Sequence, residues 1–225
     1  MDAPAGGPGG RLRSDAPTEY PKFGLAVFSL NPQPTRLPME IRRATIADIP
    51  HLRELIRDSV SVLSDRYYSS EQIASALSHV FGVDTQLILD GTYFVAEAEK
   101  QIAGYGGWSK RKTLFGGDQT KSAGIEALLD PLMEAARIRA FYVHPRWARQ
   151  GVGTRILKAC EAAACAAGFV KVELIATLPG EPLYSASGYT NLGPFEIPLP
   201  DGPSLPALRM EKRLIICKNA LDSKL

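Results

Sequence analysis

The chain has 225 residues, 45% of them hydrophobic and 22% charged, with a formal net charge of +2. These values are ordinary for a globular protein and too balanced to point to nucleic acid, so any cationic site must be local. The length accommodates one full domain and a tail, or two very small domains.

No run approaches the length of a membrane span, and no basic region followed by an apolar core opens the chain as a secretory signal would. Of the three cysteines, Cys160 and Cys165 share an Ala-rich helical stretch, where burial is expected, and Cys217 stands apart. An odd count without CxxC spacing argues against a disulfide framework or a zinc site and for a reducing compartment, so no metal is expected.

Residues 1–38 begin Gly/Pro-rich and regain Pro at Pro32, Pro34 and Pro38, which predicts a disordered tail. The apolar stretch Phe23–Leu30 within it has the makings of a docked or extra strand. The folded domain is expected over 39–214, with a C-terminal tail over 215–225.

A short strand is expected at Glu40–Ala44. Thr45 then opens Ile46-Ala47-Asp48, an N-cap signal. Ile46, Ile49, Leu52, Leu55, Ile56, Val60 and Leu63 recur at helical spacing. A second helix is predicted from Ser70 to Phe81, capped by Ser69 or Ser70 and ended by Gly82. Thr92–Glu99 and Ile102–Ser109 read as a hairpin turning at Lys100-Gln101. Lys110–Asp130 reads as a loop around Gly116-Gly117 with a short helical turn.

Arg137–Val143 is the next strand, and Gly153–Ala167 a helix ended by Gly168. Val172–Ala176 follows as a strand and Leu183–Ser187 as a short helix. Tyr189–Ile197 and Ala207–Lys212 complete the set, joined by a turn at Pro200-Asp201-Gly202-Pro203. No internal repeat is present, and the order is that of a mixed α/β domain.

The stretch Ala140–Leu157, AFYVHPRWARQGVGTRIL, carries the chemistry. An apolar strand is stopped by His144-Pro145, a basic Gly-punctuated loop follows, and then a helix starts. Glycines let backbone turn tightly and approach a ligand, and the free N–H groups and dipole of a helix start favour an anion. A phosphate-bearing ligand is therefore expected.

This element order, with the Gly loop after the fourth strand, resembles the GNAT superfamily of acetyl-coenzyme-A-dependent N-acetyltransferases over roughly residues 40–213. Two segments carry the resemblance: Phe141–Thr154 is similar to the family's strand, V-x-P, basic loop and G-x-G signature, and Leu183–Tyr189 (LYSASGY) to its aliphatic-Tyr-x-x-x-Gly-aromatic segment. The resemblance implies a mostly antiparallel, twisted central sheet of about six or seven strands flanked by about four helices. It also implies acetyl-CoA as co-substrate and an amine acceptor, either a small molecule or an exposed amino group.

Site residues carry over where they match. Arg149, Gln150, Gly151, Val152, Gly153 and Thr154 would hold the pyrophosphate. Phe141, Tyr142 and Val143 would form the strand edge that pairs with the pantetheine arm like an added strand. Tyr184 would protonate the leaving thiolate.

Three positions depart from the pattern. Ala148 stands where the loop usually opens with Gln or Arg, Thr177 where an Asn is often found, and Arg139 where a carboxylate sometimes sits, so no general base carries over. Glu97 reads first as a surface glutamate and second as a base acting through water. Tyr67, Tyr68 and Trp108 are candidates for an acceptor pocket or for packing, and His79 and His144 are weaker candidates still. Acceptor specificity is expected from the region between the first two helices, the Lys110–Asp130 loop and the last hairpin.

The alternatives are a non-catalytic acyl-CoA binding or sensing module on the same fold, and another nucleotide-binding α/β domain. The lack of GxGxxG and GxxxxGK[ST] disfavours the latter. No nucleic-acid or membrane partner is expected, and an exposed strand edge near the C-terminus would allow a homodimer. Cytoplasm is the expected location. The terminal Ser223-Lys224-Leu225 has the form of a peroxisomal import signal, which matters only if the source has peroxisomes.

Overall fold

The structure is a computed structural model that describes residues 38–121, 126–200, 202 and 204–215. The tail read over 1–38 (all but its last residue), the Phe23–Leu30 strand, the last residues of the chain and part of the turn at 200–203 lie outside the described residues.

Among the described residues, seven strands form one sheet: β1 (Met39–Arg43), β2 (Tyr93–Ala98), β3 (Gln101–Ser109), β4 (Ala136–Val143), β5 (Lys171–Thr177), β6 (Thr190–Ile197) and β7 (Leu205–Arg213). The spatial order is β1-β2-β3-β4-β5-β7-β6. Every pairing is antiparallel except β4 with β5. Among the described residues, five α-helices accompany the sheet: α1 (Ile49–Leu63), α2 (Ser70–His79), α3 (Thr85–Leu89), α4 (Val152–Ala166) and α5 (Glu181–Ala186). This is the mixed, mostly antiparallel α/β fold that the sequence predicts, with one helix more.

The extra helix is α3, five residues long, with the Asp84 carboxylate accepting from the Gln86 N–H as its N-cap. So short a helix shows no period of its own. Several bounds shift by a residue or two, and α2 stops at His79, before Phe81. The hairpin turn falls one residue earlier than expected, on Glu99 and Lys100, both at positive φ.

The start of the first helix follows the sequence signal. Thr45 N–H and Oγ1 donate to Asp48 Oδ2 at 2.7 and 3.0 Å, tying down a single 3-10 turn before α1. Leu52, Leu55, Ile56 and Val60 then form the buried face of α1. Ile46, expected on that face, is 55% exposed because it precedes the α-helical register.

Strand alternation divides the core between the two faces of the sheet. Tyr93, Val95 and Tyr105 pack with α1 and α3 on one side. Ala96, Ala103 and Ile138 pack with Ile156, Leu157, Cys160 and Ala164 of α4 on the other. A third cluster joins Ala76 and Val80 to Ile197, Leu205 and Ala207 at the β6–β7 end.

Cys160 is buried and free, as expected, while Cys165 is half-exposed and disulfide-bonded, which corrects both its expected burial and the expectation against disulfide bonding. No helix among the described residues is long and apolar enough to cross a membrane.

The feature that makes a site is a parting of strands. β4 pairs with β5 only at Ala136↔Val172 and Arg137↔Glu173. Beyond these pairs β4 stays with β3 as far as Val143↔Gly104, while β5 stays with β7 along its whole length. A bulge in β4 lies where they diverge. Arg139 faces Gly107 and Tyr142 faces Tyr105, so Ala140 and Phe141 share the one partner Gly106. Ala140 sits at φ 56°, a conformation costing a non-glycine about 1 kcal/mol, which the surrounding ladder imposes.

Candidate active site

The cleft opened by the parted strands has a volume of about 520 Å³. At one end it is walled by the β4 edge and the Gly loop, and α5 stands across from them.

The main chain of β4 supplies the first set of donors. His144 N–H bonds to Ala103 O at 3.0 Å, so His144 and Tyr142 turn their backbone groups toward β3. Alternation in an antiparallel ladder then turns the N–H and C=O of Val143 the other way, into the cleft. No β5 backbone is paired with them there.

The loop supplies the second set. Pro145–Trp147 makes one 3-10 turn, held by Arg146 N–H donating to His144 Nδ1 at 3.1 Å. Arg149 at φ 64° and Gly151 at φ 83° then reverse the chain into α4. Gly151 is the N-cap of α4, and no side chain caps that end. The first-turn N–H groups of Val152, Gly153 and Thr154 thus lack intrahelical partners where these residues line the cleft.

A Cβ on Gly151 would meet nothing within 4 Å, so the space above it is open, and its φ is what requires glycine. A Cβ on Gly153 would come 2.9 Å from Leu183 Cδ2, the flexible end of an α5 side chain that packs on the start of α4.

Tyr184 on α5 lines the cleft, 7% exposed. Its ring stacks edge-on with Phe141 at 6.2 Å and with Tyr189 at 5.6 Å. Burial, with a smaller contribution from Cys160, raises its hydroxyl above the ordinary range, so it stays protonated at any working pH.

The structure therefore brings together Phe141, Tyr142, Val143, Arg149, Gly151, Val152, Gly153, Thr154 and Tyr184 around one cleft. Gln150 is absent from the lining: its side-chain amide donates to Arg146 O at 2.8 Å and braces the loop. The three departing positions, Ala148, Thr177 and Arg139, line the cleft as well.

Other candidates go elsewhere. Glu97 accepts from Arg42 Nε and Nη2 at 3.0 and 2.7 Å and does not line the cleft. Arg146 pairs with Glu99 at 2.9 Å and lies over the Trp147 ring. Tyr68 is a strut: its hydroxyl donates to Pro206 O and accepts from Leu178 N–H, both at 2.8 Å. Tyr67 is 49% exposed, and Trp108 packs on Phe169 in the core. Neither these three aromatic residues nor His79 and His144 line the cleft.

Sequence reasoning missed the far end of the cleft, where Ser59, Val60, Leu63 and Ser64 of α1 and the turn after it meet Val80, Phe81, Phe115 and Ile197. These residues come from four separated segments, and only the three regions named for specificity pointed toward them.

Arg139 closes the floor there, 5% exposed. Its Nη1 and Nη2 donate to Thr113 O and Gly116 O at 3.0 and 2.6 Å. Its Nη2 also lies 2.9 Å from Asp84 Oδ2, an ion-pair contact without hydrogen-bond alignment. Lys121 pairs with the other carboxylate oxygen of Asp84. Among the described residues, no group of acidic, histidine or cysteine side chains could hold a metal ion.

Residues 89–191 match the family model described as an acetyltransferase (GNAT) domain. Among solved structures, the chain is similar to a GCN5-related N-acetyltransferase from Rhodopseudomonas palustris, with 20% identity, a TM-score of 0.59, and 78% of this chain and 95% of that one covered. It is also similar to the PaiA N-acetyltransferase of Thermoplasma acidophilum in complex with coenzyme A, with 17% identity, a TM-score of 0.53, and 79% and 99% covered. A third is the ribosomal-protein-alanine N-acetyltransferase of Brucella melitensis, with 20% identity, a TM-score of 0.52, and 78% and 99% covered. At these identities the likeness is one of fold. No curated protein matches the chain significantly.

Proposed function

We propose that this protein is an N-acetyltransferase that moves the acetyl group of acetyl-CoA to a primary amine by direct attack in a ternary complex. The observation that carries the proposal is the uncapped start of α4 opening on the same cleft as the unpaired edge of β4, with Tyr184 opposite. The family match and the coenzyme A of the Thermoplasma relative support the same donor.

Each part has a task. The N–H groups from Gly151 to Thr154, with the cationic Arg149, hold the pyrophosphate. The edge of β4 at Phe141 and Val143 hydrogen-bonds the amide-rich arm as a further strand would. The Val143 N–H meets the thioester carbonyl and stabilises the charge that develops on its oxygen. The Tyr184 hydroxyl gives its proton to the departing thiolate. Both substrates are held side by side, so no covalent enzyme intermediate is needed.

Release of coenzyme A, followed with a thiol reagent in the presence of acetyl-CoA and an amine panel, tests the proposal. Amine-dependent thiol release by the native chain is expected. Acetyl-CoA that binds but is never turned over would leave the non-catalytic acyl-CoA module in its place.

A further inference from the structure

We infer that the acceptor end of this cleft takes a small apolar amine, aromatic or short-chain aliphatic, in its neutral free-base form. The inference rests on the donor assignment above, and it comes from the chemistry of the far wall.

That wall is made by Val60, Leu63, Val80, Phe81, Phe115 and Ile197. Its polar groups near α1 are the neutral hydroxyls of Ser59 and Ser64. Among the described residues, no carboxylate and no imidazole lines any part of the cleft. The side chains there with a fixed charge are Arg139 and Arg149, both cationic.

The charge of Arg139 is matched behind the wall by Asp84, which is 1% exposed and does not itself line the cleft. Asp84 is further occupied by Lys121 and by the Gln86 N–H. It is therefore not available to an incoming ammonium.

A cationic amine entering this space would lose its hydration and find no counter-charge, which disfavours a charged group strongly. A neutral amine on a ring or short alkyl chain loses little and gains apolar contact with the phenyl rings and aliphatic side chains. The same absence assigns the proton path. The amine sheds its proton to water before entry. Its lone pair forms the C–N bond to the acetyl carbonyl carbon, the C–S bond breaks, and the thiolate takes the Tyr184 proton. The remaining excess proton on nitrogen passes to water, and Tyr184 regains one from water.

The test compares kcat/KM for aniline, phenethylamine, spermidine and a short lysine peptide, alongside binding of phenethylamine to the free chain by ligand-observed NMR. The two apolar amines are expected to exceed spermidine by about tenfold or more. Phenethylamine is expected to bind more tightly at about pH 9 than at about pH 7, where less of it is neutral. A Ser64→Asp variant, checked for retained acetyl-CoA binding, is expected to shift preference toward spermidine.

Spermidine or the lysine peptide preferred by the native chain would overturn the inference. Should acetyl-CoA itself fail to bind, the donor assignment falls, and the NMR arm decides this inference alone. Tighter binding of phenethylamine at the higher pH upholds it, and no binding at either pH overturns it.

Discussion

The two ends of the cleft are built from different material. The proposed donor end is mostly backbone: the β4 edge, the turn through Arg149 and Gly151, and the bare start of α4. The proposed acceptor end is mostly side chain, drawn from α1, the segment after α2, the loop holding Phe115, and β6. A backbone-built end depends on chain conformation, which glycines and a helix start impose locally. A side-chain-built end depends on the whole fold bringing distant residues together. The donor end should therefore tolerate side-chain changes and fail on conformational ones, and the acceptor end the reverse.

The largest effect is expected at the acceptor floor. Arg139→Met leaves Asp84 buried with only Lys121 as a cationic partner, so stability should fall by about 3 kcal/mol, read from urea unfolding. A fall below about 0.5 kcal/mol would show that Arg139 is not a structural part of the floor.

Tyr184→Phe comes next, with kcat down about a hundredfold and acetyl-CoA affinity unchanged. Unchanged turnover would remove Tyr184 from the chemistry.

Stability in acid depends on a carboxylate outside the cleft. Hydrogen bonds from Arg42 hold the Asp48 carboxyl down, from 3.8 to about 2, against the opposing effect of its burial. A folded value below the unfolded one means stability that is full above about pH 4 and lost as pH falls toward 2. Asp48→Asn should cost about 1–2 kcal/mol at neutral pH and flatten the loss of stability in acid. An unchanged acid limb in that variant would contradict the pairing.

Two smaller effects sharpen the contrast at the donor end. Gly151→Ala meets no steric neighbour but must hold φ 83°, so acetyl-CoA binding should weaken by about fivefold, near 1 kcal/mol. Arg149→Ala, at an exposed position, should weaken it only about two- to threefold, and less at high salt. Loss at Arg149 exceeding loss at Gly151 would reverse the account of which material holds the donor.

The same contrast governs what the sequence reveals. The loop at Ala148–Thr154 and the helix behind it are legible because Gly151 and Gly153 mark them directly. Their partners on β4 are legible because the apolar run stops at His144-Pro145. The antiparallel order, the core face of α1 and the Thr45 start also follow local rules.

The parting of β4 from β5 is not legible. It arises from a bulge at Ala140, and alanine gives no sign of positive φ. Tyr68 and Trp108 are large aromatics between or on the right elements, yet their placement in struts and core depends on Pro206, Leu178 and Phe169, far away in sequence. Phe81 and Phe115 join the acceptor wall through contacts of the same long range. For α3, an Asp before Thr85 is a capping signal, but five residues hold too little period to act on.

The proposed acetyl-CoA site rests on the bare helix start and the unpaired β4 edge acting together. A calorimetric titration of the full chain with acetyl-CoA, with ATP and NAD as controls, tests it most directly. Selective binding near micromolar, about −8 kcal/mol, is the predicted result. No binding of acetyl-CoA at millimolar concentration, or equal binding of ATP, would contradict it.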